Sequence, residues 1–233
     1  LLEVALMEKG LRHEYKYLIS KADAELLKKR LPFIMQRDPH AGEAGRYTIR
    51  SLYFDDMDAA AYYEKVDGLD SRTKYRIRFY DYDSSIIKLE KKEKLGNLTR
   101  KTAQTITKND ARALEYALSQ GCPDTPDGLT EELRLACNGR GLRPRVLVDY
   151  DRTPFLCHAG NTRITIDENP RTRPYIAHLF ASPRAMTPVL EPNQVILEVK
   201  FDDFLPGYLA DALADIPKVN MAISKFAMCM SFI

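Results

Sequence analysis

The sequence predicts an α+β protein built on an antiparallel sheet. Two observations predict it. About eight short segments alternate polar and apolar residues with a period of 2, the mark of half-buried strands. Helical segments are inserted between them, and several strands follow one another through short turn signals, as antiparallel neighbours do. The clearest alternation is KYRIRFY, residues 74–80, with a cation at every second position and an aromatic or branched residue between.

Residues 12–19 read as the first strand. The segment SKADAELLKKRLPFI then reads as a helix, with Ser20 as N-cap and Leu26, Leu27 and Leu31 as its apolar residues. Pro39, Gly42 and Gly45 mark a loop before a strand at 46–55. A short helix over 56–66 is opened by Asp55 or Asp56. Three strands follow near 70–82, 84–95 and 98–107, the last two joined at Gly96-Asn97. Helices are predicted at 108–119 and 130–138, separated by GCPDTPDG. Strands at 144–158 and 161–169 come next, then a proline-rich loop over 170–193. QVILEVKFD is a strand, and helices near 206–215 and 220–231 end the chain. There is no internal repeat, low-complexity tract or interdomain linker, so residues 1–233 read as one domain.

Net charge is +2, from 35 cations against 33 acids, which argues against a diffuse basic coat for nucleic acid. Any cationic site must come from arrangement. Cys122, Cys137, Cys157 and Cys229 form no CxxC pair and read as buried thiols in a reducing compartment. No apolar run approaches the roughly 20 residues of a membrane span, and LLEVALMEKG is too short for a signal peptide. A cytoplasmic location is expected. The histidines at 13, 40, 158 and 178 are scattered and suggest no acid–base or metal centre.

The alternation recurs. Glu14 and Lys16 share a strand face; so do Lys88, Glu90, Lys92 and Lys94; so do Arg163, Thr165 and Asp167; so do Gln194, Glu198 and Lys200. On any one strand this means only a wet face opposite a core face. Across five strands, lysine and arginine dominate, and a glutamate stands two residues before a lysine in Glu14-x-Lys16, Glu90-x-Lys92 and Glu198-x-Lys200. If that face turns inward, about ten cations crowd together, which is costly unless acids or a polyanion compensate. Cations suit phosphate oxygens, and the carboxylates suit a hard divalent metal.

These segments resemble the triphosphate tunnel (CYTH-like) superfamily, and within it the VTC-type polyphosphate polymerase domain. RHEYKYLI, SLYFDD, RTKYRIRFYD, IIKLEKKEK, RKTAQTIT, PRVLVDYDRTPF, TRITIDENPRT, ILEVKFDDFLP and ISKF carry the resemblance in order. It implies an antiparallel β-barrel tunnel of about eight strands with surrounding helices. It implies Lys16, Arg76, Arg78, Lys92, Lys101, Arg152 and Arg163 as phosphate ligands, and Glu198, with Glu90 and Glu14, as carboxylates for Mn²⁺ or Mg²⁺. Lys200 and Lys225 would stabilise charge during transfer of the terminal phosphoryl group of ATP to a growing polyphosphate chain, with Glu198 holding the metal.

The hydrolytic branch of the superfamily carries Glu-x-Glu-x-Lys on its first strand, where this chain has Arg12-x-Glu14-x-Lys16. A metal ligand is thereby lost and a cation gained, which resembles the polymerase branch. Two rivals stay open: a metal-dependent triphosphate hydrolase and a non-catalytic polyphosphate-binding module. Nucleic acid is disfavoured as a partner, because the aromatics lie on the apolar face. A membrane protein that exports or stores the polymer is a further expected partner, with no motif to show it. Plainer readings stand beside these. Lys225 is equally a helix-surface lysine, Arg152 a partner of Asp149 or Asp151, and Lys88 and Lys94 solvated; Arg50 and Lys74 are undecided.

Overall fold

Each strand's apolar set decides which side faces inward. Burying one aliphatic side chain contributes about 2 kcal/mol, whereas an exposed ion pair contributes at most about 1. In a computed structural model, residues 12–95, 98–116, 127–174, 179–181 and 186–233 are described. The helix end expected at 117–119, most of GCPDTPDG, the Gly96-Asn97 turn, Cys122 and His178 lie outside them.

Strand β1 (His13–Ser20) leads into helix α1 (Lys21–Arg30), where Ser20 Oγ accepts from the Asp23 amide at 3.1 Å, the cap expected. The short β2 (Gln36–Arg37) precedes β3 (Tyr47–Asp55). Helix α2 (Ala60–Val66) starts later than expected, but the expected aspartates do open it. Asp55 accepts from the amides of Ala61 and Tyr62, and Asp56 from that of Ala60. Strands β4 (Ser71–Tyr80), β5 (Asp83–Leu95) and β6 (Leu98–Ile106) form a meander. Helices α3 (Lys108–Tyr116) and α4 (Gly128–Arg140) follow, then the long β7 (Arg143–Cys157) and β8 (Thr162–Pro174). The turn between these two strands needs Gly160: its φ is 60°, and a Cβ would meet the Phe204 carbonyl oxygen at 2.1 Å.

Two expectations change here. The region 170–193 is not all loop: β8 continues through Pro170, after Asn169 adopts a left-handed φ of 48°, and pairs with β9 (Thr187–Pro188). The last helix does not begin at 220. After β10 (Gln194–Phe201) and α5 (Gly207–Ala214), residues Val219–Asn220 form β11, paired with β1, and only Lys225–Met230 are helical, as α6. Ser224 caps α6 by accepting from the Ala227 amide.

Eight longer strands and three two-residue ones make up the described sheet, in the order β11-β1-β10-β8-β7-β3-β4-β5-β6, with β2 on β7 and β9 on β8. The pairs β1–β10, β1–β11, β8–β10, β2–β7, β3–β4, β4–β5, β5–β6 and β8–β9 are antiparallel. Among the described residues this path has two ends, β11 and β6.

The chain divides into two units: residues 1–48, 150–170 and 190–223 form the first, and 49–149, 171–189 and 224–233 the second. Each has its own core. In the first, Ile164, Ile166, Val195, Leu197 and Val199 pack with Leu27 and Leu31 near α1 and with Leu209 and Leu213 of α5. In the second, Leu52, Phe54, Tyr75, Ile77, Phe79, Ile87 and Leu89 pack with Leu114 of α3 and Leu133 of α4. In both, the aliphatic strand faces meet helices, and the charged faces lie opposite.

Candidate phosphate-binding site

In the first unit, the β1–β10 register sets acid against base twice, Glu14 opposite Lys200 and Lys16 opposite Glu198. Lys16 Nζ lies 2.7 Å from Glu14 and 3.2 Å from the Ile223 carbonyl. Lys200 Nζ lies 2.6 Å from Glu198 Oε1 and 3.9 Å from Glu14 Oε2. Arg152 donates a two-pronged pair to Asp167 at 2.6 and 2.7 Å, and reaches Glu198 Oε2 at 3.4 Å. Burial opposes the Arg152 charge, but Asp167, helped by Tyr150 and Glu198, more than restores it, and its pKa stands raised. Arg163 turns to Asp38 and the Tyr47 hydroxyl, both at 3.0 Å.

Among the described residues, Arg163 Nε and Thr165 Oγ1 are buried without a hydrogen-bond partner, and Thr165 stands opposite Glu198 in the β8–β10 register. Arg152 therefore does not pair with Asp149 or Asp151. Those odd-numbered aspartates point to the other side of β7, where Asp151 takes Thr48 and Asn169.

In the second unit the balance differs. Glu90 is 2% exposed and is ringed by cations: Arg76 at 2.6 and 2.5 Å, Lys101 at 2.5 Å and Arg78 at 3.8 Å. Burial alone would raise the Glu90 pKa; Arg76, Arg78 and Lys101 reverse that and hold it well below the usual carboxylate range. Arg76 also donates to the Tyr53 hydroxyl at 2.8 Å, and Arg78 to Ser51 at 3.2 Å. Ala103 faces Glu90 across β5–β6, a small residue that leaves room for Lys101 to reach it diagonally. Lys74, Lys92 and Lys101 form one cross-strand row. Lys225 opens α6, and its neighbour Phe226 lies against Tyr53, with ring centroids 5.1 Å apart.

The model of the VTC domain family matches residues 11–233. The chain belongs to the VTC domain family. No curated protein sequence matches it. Among solved structures, a Bacillus halodurans protein provisionally named an adenylate cyclase shares the fold, with TM-score 0.51 and 18% identity over 88% of this chain and 87% of that one. A Vibrio parahaemolyticus protein with the same provisional name gives 0.45 at 14% identity, over 86% and 81%. The PH1819 protein of Pyrococcus horikoshii OT3 gives 0.46 at 10%, over 94% and 99%. Among the described residues, no helix of this VTC domain is long and apolar enough to cross a membrane.

Most of the site residues expected from sequence gather in one of two clusters, Glu14, Lys16, Arg152, Glu198 and Lys200 in the first unit, or Arg76, Arg78, Glu90 and Lys101 in the second. Arg163 instead anchors on Asp38, and Lys92 is exposed within its row. Sequence reasoning gave no role to Asp38, Tyr47, Tyr53 or Asp167. Only Asp167 carried a signal, its even spacing from Arg163 and Thr165. Of the cysteines, Cys137 and Cys229 are buried as expected, whereas Cys157 is half-exposed, 3.1 Å from the Tyr208 hydroxyl. Arg50 is settled: at 1% exposure it lies on the core side, bound to Asp149 at 2.8 Å and to the Leu179 and Ala181 carbonyls.

Among the described residues, no three His, Cys, Asp or Glu gather into a ready metal cage. Mg²⁺ and Mn²⁺ need less: one or two carboxylates, with water and phosphate oxygens completing the shell. Glu14 and Glu198 fit that need, because both already reach one cation, the Lys200 ammonium.

Proposed function

We propose that this VTC domain transfers the terminal phosphoryl group of ATP onto the end of a polyphosphate chain. The observation that carries the reading is the cluster around Glu90, where Arg76, Arg78 and Lys101 share one carboxylate. Forked guanidinium donors and an ammonium brought to one place suit the non-bridging oxygens of a phosphate chain. Arg76 and Arg78 would bind non-bridging oxygens and hold the chain end in line with the γ-phosphorus. An oxygen of the chain-end phosphate bonds to that phosphorus while the bridging oxygen leaves with ADP. The attacking phosphate is already ionised, so no general base is required. The family resemblance further assigns Lys200 and Lys225 to spreading the developing charge. Glu14 and Glu198 would hold Mn²⁺ or Mg²⁺, whose chemistry is to neutralise phosphate charge.

Arg12 favours transfer over hydrolysis. It occupies the position where the hydrolytic branch has a glutamate, and its guanidinium is held 2.8 Å from Asp202. The test is incubation of the chain with ATP and Mn²⁺, followed by gel electrophoresis and product assay. Long polymer, lost in Arg76→Ala and Glu198→Gln, is the expected result. Orthophosphate without polymer would make the domain a hydrolase. Binding of polyphosphate without turnover, unaffected by Glu198→Gln, would make it a binding module. Cyclic AMP with pyrophosphate would match the provisional name of the Bacillus halodurans neighbour.

A further inference from the structure

Lys74 lies on the same face of β4 as Arg76 and Arg78, at the head of the Lys74–Lys92–Lys101 row. It is half-buried, and its ammonium sits 4.3 Å from the centroid of the Phe226 ring. Among the described residues no carboxylate stands within ion-pair distance of it. Lys91, on the opposite face, shows the usual alternative: it packs over Tyr75 but also pairs with Glu93 and Glu132. Phe226 packs at a tilt against Tyr53, and Tyr53 accepts from Arg76, so one aromatic pair touches both Lys74 and a proposed phosphate ligand. An ammonium packed on a ring with no acid beside it is poorly compensated. It gains most from an anion arriving at the neighbouring arginines.

We infer that Lys74 is a further phosphate ligand of the second unit, engaged when a polyphosphate chain occupies Arg76 and Arg78; this rests on the phosphate-binding reading above. The charges that face Lys74 agree with it. Arg72 on its own strand, Lys65 on α2 and Lys92 on β5 repel its charge, while Asp55 at the end of β3 and Glu64 on α2 attract it. Burial, with repulsion from Arg72 and Lys65, brings its pKa down to about 7. Near pH 8 the side chain is mostly neutral, and an incoming phosphate chain would draw a proton onto it. Binding then carries proton uptake in addition to that of the ligand itself.

The test is calorimetric titration of the full chain with tripolyphosphate in EDTA, between pH 6.5 and 8.5, in two buffers of different ionisation enthalpy. Lys74→Met is expected to weaken binding about tenfold at pH 6.5, the value of one charge-assisted contact. Lys74→Arg stays charged throughout, so it keeps affinity and loses the extra proton uptake near pH 8. Because the arginine variant preserves packing and charge, it reads the effect even if the methionine variant folds poorly. Wild-type proton uptake and affinity in both Lys74 variants, with binding lost in Arg76→Ala, would overturn the role of Lys74 and leave the site reading intact. Unchanged binding in Arg76→Ala as well would overturn both.

Discussion

The two units present opposite kinds of charged face. In the first, Lys16, Lys200, Arg152 and Arg163 are matched by Glu14, Glu198, Asp167 and Asp38, and nearly every contact is an acid–base pair. In the second, Arg76, Arg78 and Lys101 converge on one carboxylate, Glu90, on the face that also carries Lys74 and Lys92. The difference teaches a division of labour. A matched face holds its shape without ligand and offers carboxylate oxygens to a metal. A face where three cations share one carboxylate is the one that the proposed function gives to the phosphate chain. Metal dependence should therefore map to the first unit, and anion affinity to the second.

The severest break is removal of the single acid. Glu90→Gln leaves three cations facing one another and should cost about 3 kcal/mol of stability, the low end for a broken buried pair because Lys101 is half-exposed. Chemical denaturation measures it, and tripolyphosphate should restore more stability to this variant than to the wild type. The Glu90 pKa lies below its unfolded value, so its contribution is present above about pH 4.5 and fades as pH falls toward the folded value. Next, Arg76→Ala should weaken tripolyphosphate binding about a hundredfold in EDTA, since a forked donor is lost. An equal loss in Arg152→Ala under metal-free conditions would erase the distinction between the units.

Glu198→Gln sharpens it from the other side. Metal-free anion binding should persist, while the gain from added Mn²⁺ falls about tenfold by the same titration. The smallest effect concerns Lys74. The unfolded lysine stays charged to about pH 10, while the folded one loses its proton near pH 7. Between those values the unfolded state holds more protons, so stability rises with pH. Lys74→Met should thus melt about 3 °C above wild type at pH 6, and the two should converge toward pH 10.

What could be read in the sequence was what short range determines. Period-2 alternation placed Arg76 and Arg78 opposite Tyr75 and Ile77, and the Ser20 cap lies three residues from the amide that donates to it. Interactions across long separations were invisible. Arg50 looked like any strand cation, because Asp149 lies 99 residues away and the carbonyls it holds are farther still. Asp38 sits in a proline- and glycine-marked loop, 125 residues from Arg163. The stretch 220–224 carries a helix-compatible pattern, but pairing of β11 with β1 and the Met221 amide donating to the Lys16 carbonyl keep it extended. Tertiary hydrogen bonds outweighed local preference there.

Three strands, β3, β7 and β8, begin in one unit and finish in the other, and each unit is stitched from three separate stretches of chain. No single cut of the polypeptide can release either half intact. Ribosomal synthesis cannot complete one core before most of the other has emerged, and recombination cannot swap the metal-suited face without rewriting the anion-suited one. The stretches that build the two faces alternate along the chain, so the two are inherited together.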